Sequence, residues 1–359
     1  MKKVSFLVVF TTLSLCALAQ VTTNEQPYGL QQRSIGQNNQ SPIALLPPNV
    51  RQLAIEDSIR EQSYIETEDS TSEYVQGGGV RFAYPVWVNY TPENSGLWEQ
   101  LPNGDKIWRL KIKIPDALSL HTYYDRFWLP EGGKFFVYSE ETGQSIGAIT
   151  SGSKNSSKEN PLKFATGLIY GEGIVYEYYQ PAYVKDTAII SIYRIEYGYR
   201  YINNPYQKGH KDFGDALSCH NDICNTSNYQ NERHAVTKII VPFFNEAYTG
   251  TKFFSGALIN TTNNDNTPYV LTTIQPLCSG LNATGDADAS DWMFYWDYTS
   301  CDSLNLPPTI GATIVANGDF INYNGIYPNT FEVDFALLLL NDDPQCEGIS
   351  TYWLGYLGQ

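Results

Sequence analysis

Basic residues and histidines are scarce in this sequence. The 359 residues include 23 Lys and Arg against 38 Asp and Glu, which gives a formal net charge of −15 at pH 7. Because no basic cluster offsets the negative charge, we expect no binding to nucleic acid. The four histidines do not cluster with carboxylates at the spacing of metal ligands, so we predict neither a metal site nor a cofactor.

Long apolar runs are absent outside the amino terminus. Residues 1–19 begin with a basic pair, continue with the apolar run 4–17 and end in an Ala-x-Ala site. This pattern predicts a secretory signal that is cleaved after Ala19. A lipid anchor at Cys16 fits less well, since Leu15 is larger than the residue expected there. No other stretch has the roughly 18 apolar residues of a membrane span, so we expect a protein that is secreted, periplasmic or at the cell surface.

Cysteine is sparse, and its number is odd once the leader is removed. One of the six cysteines lies in the leader, and the other five are Cys219, Cys224, Cys278, Cys301 and Cys346. Disulfides are more common than metal sites in an exported protein, and no CxxC spacing occurs. An odd count leaves one cysteine free, bonded to another chain or lacking its partner.

The segment 20–79 has little to bury and is interpreted as a polar leader. Residues 20–40 are rich in Gln, Asn and Thr, which predicts disorder. Residues 50–62 place apolar side chains at roughly helical spacing, which predicts one short amphipathic helix. Residues 63–79 are acidic and end in three glycines, as is typical of a flexible connector.

Residues 80–204 contain short β-prone runs that are divided by turn signals. Two of these signals are the Asn-Gly-Asp at 103–105 and the Gly-Glu-Gly at 171–173. Regularly spaced short strands without a long helical stretch predict an antiparallel β-sandwich. The sequence has 27 Tyr and 7 Trp. These aromatics could form a carbohydrate-binding platform, but core positions in a sandwich are more common and are preferred.

After a polar linker, 205–217, the pattern predicts a second β domain over 218–359. Its clearest element is a hairpin at 250–277. There, two apolar, β-prone runs flank the turn 260–268, which is dense in Asn, Asp and Pro.

The hairpin resembles that of trypsin-like serine proteases, most closely the secreted bacterial lysyl-endopeptidase type. The matching residues are SGALIN at 255–260 and TPYVLT at 267–272. The segment DFALL at 334–338 is similar to the catalytic-Asp segment of that family, and the sandwich region resembles the domain that precedes the protease. The resemblance implies an all-β fold: an amino-terminal antiparallel β-sandwich followed by an incomplete trypsin-like double β-barrel. It also implies that the apolar run 333–340 lacks a cover, which predicts either poor stability or a partner chain that completes the barrel.

The resemblance fails at positions that carry chemistry. Where the family has its catalytic His, this sequence has Gln275, and the two cysteines that form a bridge beside it are replaced by Phe254 and Pro276. Asp334 is the surviving position of the catalytic triad. The Gly-Asp-Ser-Gly-Gly motif of the nucleophile does not occur in the sequence.

The resemblance also implies how the cysteines pair. It pairs Cys224 with Cys301, and it leaves Cys219 unpaired because its family partner lies beyond the last residue. Cys278 and Cys346 are then the remaining candidate pair.

These substitutions predict a secreted serine-protease homologue that lacks proteolytic activity and binds a peptide or protein partner. An amide does not exchange a proton near neutral pH, so Gln275 cannot replace the imidazole of a Ser-His-Asp triad. Three alternatives stay open. The chain could be a fragment of a lysyl-endopeptidase-like precursor, a protease that uses a displaced histidine such as His220 or His234, or a surface β module that binds glycans or proteins.

Overall fold

The computed structural model confirms an all-β fold with short helices. It describes residues 25–33, 41–66, 80–151, 157–200, 227–244, 249–279, 288–297, 308–317, 335–344 and 351–354. Three α-helices lie in these ranges: α1 (Tyr28–Arg33), α2 (Val50–Glu66) and α3 (Gln275–Ser279). The predicted signal peptide and linker lie outside the described residues.

Two sheets face each other in the amino-terminal half. Its strands are β1 (Ile43–Ala44), β2 (Arg81–Tyr90), β3 (Leu97–Gln100), β4 (Lys106–Lys113), β5 (Ser119–Trp128), β6 (Lys134–Tyr138), β7 (Ser145–Ile149), β8 (Leu162–Tyr170), β9 (Gly173–Gln180) and β10 (Ile189–Gly198). One sheet has the order β1-β4-β9-β6-β7 with β3 also on β4, and the other contains β2-β10-β5-β8.

The core between these sheets is strongly aromatic. The rings of Phe127 and Phe164 lie 4.5 Å apart, and Tyr124 meets Phe135 edge-on at 5.9 Å. Trp108 is fully buried in the same cluster. Core packing therefore accounts for these aromatics, as the sequence predicts.

The carboxy-terminal half forms a nearly closed, barrel-like sheet. Its strands are β11 (Val236–Phe243), β12 (Gly250–Ile259), β13 (Tyr269–Thr272), β14 (Met293–Trp296), β15 (Thr309–Ile310), β16 (Ala312–Asn317) and β17 (Ala336–Leu340). They follow the order β15-β14-β11-β12-β13-β17-β16. The predicted hairpin is present as β12 and β13, which pair from Gly256 opposite Thr272 to Ile259 opposite Tyr269.

The prediction of an uncovered apolar run at 333–340 is wrong for β17. This strand pairs with β13 on one side and β16 on the other. Its alternate residues Ala336, Leu338 and Leu340 are buried in the barrel cluster. Alternate side chains of a strand point into the core, and Leu337 and Leu339 on the opposite face are half-buried.

Backbone hydrogen bonds join the sandwich to the barrel. Strand β12 pairs with β2, with Thr251 opposite Ala83 and Lys252 opposite Arg81, so one 11-stranded sheet runs through both halves. Gly250 has φ 152°, and a Cβ there would lie 2.5 Å from the Ala83 carbonyl oxygen. Glycine therefore permits the close approach of these two strands.

Part of the leader packs on the sandwich, which the sequence did not predict. Residues 28–33 form helix α1 instead of the expected disorder. The buried Glu177 carboxylate accepts hydrogen bonds from the backbone N–H of Tyr28 at 2.6 Å and of Gly29 at 2.9 Å. A carboxylate at the N-terminus of a helix accepts hydrogen bonds from the backbone N–H groups that have no partner within the helix.

The predicted short helix is α2, and it reaches Glu66, beyond the expected connector start at residue 63. Its buried Asp57 accepts a hydrogen bond of 2.9 Å from Arg81 Nε. The Arg81 guanidinium also donates to the Leu53 carbonyl at 3.3 Å and the Thr249 carbonyl at 3.1 Å. One side chain at the start of β2 thus connects the leader helix α2 to the segment that enters β12.

Replacing Arg81 by Met should lower the free energy of unfolding by about 3 kcal/mol, because the buried Asp57 carboxylate would lose its buried cation and keep Arg200, which lies 3.3 Å away and is 22% exposed. Urea denaturation measures this loss. Lys158→Met is the matched control, since the Lys158–Asp186 pair has side chains that are 48% and 59% exposed and should contribute at most about 1 kcal/mol. Equal losses in the two variants would contradict the role of Arg81.

Candidate active-site region

Gln275 lies at the end of the barrel where β13 leads into α3. The paired part of β13 ends at Thr272, and the short helix begins at Gln275 three residues later. The Gln275 side chain is half-buried. The Thr272 hydroxyl donates a hydrogen bond of 2.8 Å to the Ser255 carbonyl oxygen, which fixes this end of β13 against β12.

The segment after Asp334 reaches the same end of the barrel. Ala336 is the first residue of β17 and pairs with Thr272, the last residue of β13. The chain therefore enters β17 through Phe335 beside the point where it leaves β13 toward Gln275. Asp334 itself lies outside the described residues, so its contact with Gln275 stays a prediction.

Apolar packing occupies the two positions where the resemblance would place a bridge. Phe254 belongs to the buried barrel cluster, together with Ile274 and Leu277, and Pro276 is also buried. Apolar contacts therefore hold the turn after β13 against β12 without a crosslink here.

The structure does not test the predicted disulfides. Cys219, Cys224, Cys301 and Cys346 lie outside the described residues, and so does the side chain of Cys278. The pairs Cys224–Cys301 and Cys278–Cys346, and the unpaired state of Cys219, stay predictions.

A histidine–carboxylate pair lies elsewhere in the barrel. His234 Nδ1 contacts Asp297 Oδ1, with side chains that are 24% and 12% exposed. His234 precedes β11 and Asp297 follows β14, 63 positions apart in the chain. The sequence offered no signal for this pair, because its members flank different strands and are far apart in the chain.

Strand register places the His234–Asp297 pair away from Gln275. Thr237, Gly256 and Thr272 lie in one row across β11, β12 and β13. Because the strands are antiparallel, His234 lies beyond this row toward the β12–β13 turn, whereas Gln275 lies beyond it in the opposite direction. Within the described part of the chain, no hydroxyl or thiol is hydrogen-bonded to the His234 imidazole.

Ionisable groups are also buried where the barrel packs on the sandwich. The Arg194 guanidinium lies over the Tyr123 ring at 4.0 Å, and its Nε is 3.0 Å from a Glu196 carboxylate oxygen. Burial and the nearby Arg194 charge hold the pKa of His121 well below its usual value. Asp291, on the barrel side, has a pKa raised to about 6 by burial. These groups are closed to solvent, so we assign them to the interface and not to a reaction.

Metal ligation finds no support among the described residues. No group of three or more His, Cys, Asp or Glu side chains is placed there to hold a metal ion. The same ranges contain no helix of the length and apolarity that a bilayer crossing requires.

Comparison with known families agrees with the resemblance of the hairpin. Residues 213–359 match the family model described as "Lysyl endopeptidase, C-terminal domain". This match relates the chain to the lysyl endopeptidases, and it covers the barrel half. No solved structure gives a significant match to the fold.

Asp291→Asn should change how stability depends on pH. A carboxyl whose folded pKa is raised to about 6 stabilises the fold below its unfolded value of about 4 and loses that contribution as the pH rises through 6. Relative to the wild type, the variant should therefore gain about 2 kcal/mol in the free energy of unfolding between pH 4 and pH 8, since the unfolded carboxyl is already partly ionised at pH 4. Urea denaturation at both pH values measures the difference.

Asp288→Asn is the control with the opposite sign. Its hydrogen bonds to Lys163 and Ser290 overcome the effect of burial and lower the pKa of Asp288. Its contribution is present above the unfolded pKa and is lost as the pH falls, so this variant should be penalised more at pH 8 than at pH 4. Parallel pH profiles of the wild type and Asp291→Asn would contradict the assignment of Asp291.

Proposed function

We propose that this protein is an exported homologue of lysyl endopeptidases that does not hydrolyse peptides and acts by binding a peptide or protein. The observation that carries the proposal is Gln275 at the end of β13, beside the start of β17. This is where the resemblance places the imidazole of the triad. The secretory signal predicted over residues 1–19 supports export.

The chemistry of the amide is the reason for inactivity. A triad base must accept the proton of the nucleophile and return it to the leaving amine. A carboxamide offers donors and an acceptor for hydrogen bonds but no proton transfer near neutral pH. This argument depends on Gln275 alone, and it applies equally if the sequence is a fragment of a longer precursor.

His234 does not supply the missing base of the cleft that the resemblance implies, and His220 lies outside the described residues. The half-buried His234 has a carboxylate partner in Asp297, which is two parts of a triad. However, register places it on the other side of the row through Thr272 from Gln275. A hydrolase built on His234 would therefore need a different cleft from the one that the resemblance implies.

The proposal predicts no turnover of lysyl substrates. The secreted protein should neither release the chromophore from a lysyl p-nitroanilide peptide nor react with a fluorophosphonate probe, since no base activates a serine. An active lysyl endopeptidase in the same buffer is the positive control. Turnover that a serine-directed inhibitor abolishes would overturn the proposal. Loss of that turnover in His234→Ala would instead identify a displaced base.

Gln275 is expected to have a structural role at the position of the family's catalytic histidine. We expect the Gln275 amide to donate a hydrogen bond to the Asp334 carboxylate and hold the two segments together. Gln275→Ala should lower the melting temperature. A double-mutant cycle with Asp334→Ala should show a coupling energy of about 0.5 kcal/mol or more. Additive effects, or an unchanged melting temperature in Gln275→Ala, would contradict this contact.

A further inference from the structure

A groove of about 730 Å³ opens on the sandwich, remote in sequence from the protease-like region. Its floor crosses three neighbouring strands, because Gln100 pairs with Lys106 and Lys106 pairs with Gln180. The loop after β9 forms one wall, and the turn at Pro92 and Glu93 contributes to the lining. The groove thus combines a rigid sheet floor with loop walls, as ligand sites commonly do.

Trp98 is the aromatic side chain of this groove, and its orientation is fixed. It lies on the same face of β3 as Gln100, two residues along the strand. Its indole N–H donates to the Pro92 carbonyl at 3.0 Å, and its ring meets Tyr178 edge-on at 6.1 Å. The side chain nevertheless stays 40% exposed, whereas its cross-strand neighbour Trp108 is fully buried. The fold therefore holds a large apolar ring at the edge of a polar groove.

The polar groups of the groove include both charged and uncharged side chains. The Glu99 carboxylate is paired with Arg109 at 2.7 Å, so Glu93 is the remaining carboxylate of the lining beside Lys106 and Lys185. Within the described structure, the side chains of Gln100 and Glu93 have no hydrogen-bond partner. A carboxamide both donates and accepts hydrogen bonds, and a carboxylate accepts them.

We propose that this groove binds a short neutral oligosaccharide. A sugar ring presents an apolar face that can pack on an indole, and a rim of hydroxyls that donate and accept hydrogen bonds. The held Trp98 ring and the unpartnered groups of Gln100 and Glu93 match these two features. A phosphorylated or acidic ligand fits less well, because the exposed Glu93 carboxylate would repel an anionic group placed against it.

An extended peptide added to strand β3 is the competing occupant. Strand β3 has only four residues, Leu97–Gln100, which gives a short edge for main-chain hydrogen bonds. The groove is lined by side chains across β3, β4 and β9, so its recognition groups lie on the sheet face. These features favour the saccharide.

Titration of the full chain with cellohexaose, maltohexaose, xylohexaose and chitohexaose tests the proposal, by calorimetry and by tryptophan fluorescence. At least one of the four should bind. Trp98→Ala should weaken that binding by at least about tenfold, through loss of the stacking surface. Gln100→Ala, at an exposed position without a side-chain partner, should weaken it by a few-fold at an unchanged melting temperature.

Trp87→Ala is the matched control, because Trp87 is a tryptophan on β2 that is 57% exposed and does not line the groove. It should leave saccharide binding unchanged. The proposal is overturned if none of the four probes binds at millimolar concentration, if Trp98→Ala and Gln100→Ala bind like the wild type, or if an unstructured peptide competes for the groove with higher affinity. The lysyl-substrate assay reports on the barrel, so failure here leaves the proposed function intact.

Discussion

The guanidinium of Arg81 is the contact on which the arrangement of the described chain most depends. It joins Asp57 of the leader helix, the strand that opens the sandwich, and the Thr249 carbonyl just before β12. Arg81 and Asp57 are almost completely excluded from water. A buried charge of this kind is tolerated only while its partners stay in place, so the leader, the sandwich and the barrel keep one relative arrangement around it.

A buried charged group also fixes helix α1, in the first part of the leader that the structure describes. The Glu177 carboxylate lies on β9 with no exposed surface, and it accepts hydrogen bonds from Arg109 Nε at 2.8 Å and from the first turn of α1. Segments with little apolar surface are thus fixed by ionised groups in the sheets and not by a core of their own. The leader is part of the folded unit in these ranges, and it covers surface that would otherwise face solvent.

The two proposals concern different halves of the chain. The barrel half matches lysyl endopeptidases by sequence, and the proposal of inactivity depends on Gln275, where the resemblance places an imidazole. The sandwich half contains the groove beside Trp98, and none of the residues that line this groove belongs to the protease-like half. The two proposals are compatible, because function is determined by individual sites and one fold can carry unrelated functions.

The sequence alone determined the all-β class, the hairpin of β12 and β13, helix α2 and the substitution at Gln275. The first three depend on patterns among neighbouring residues, namely strand-forming runs, turn residues and helical spacing. The fourth is the identity of one residue. Only the tertiary structure decided that β12 pairs with β2, that Glu177 binds α1, that Asp297 meets His234, and that Trp98 is exposed while Trp108 is buried. These features join segments far apart in the chain, and long-range contacts leave no periodic or local pattern from which they could be predicted.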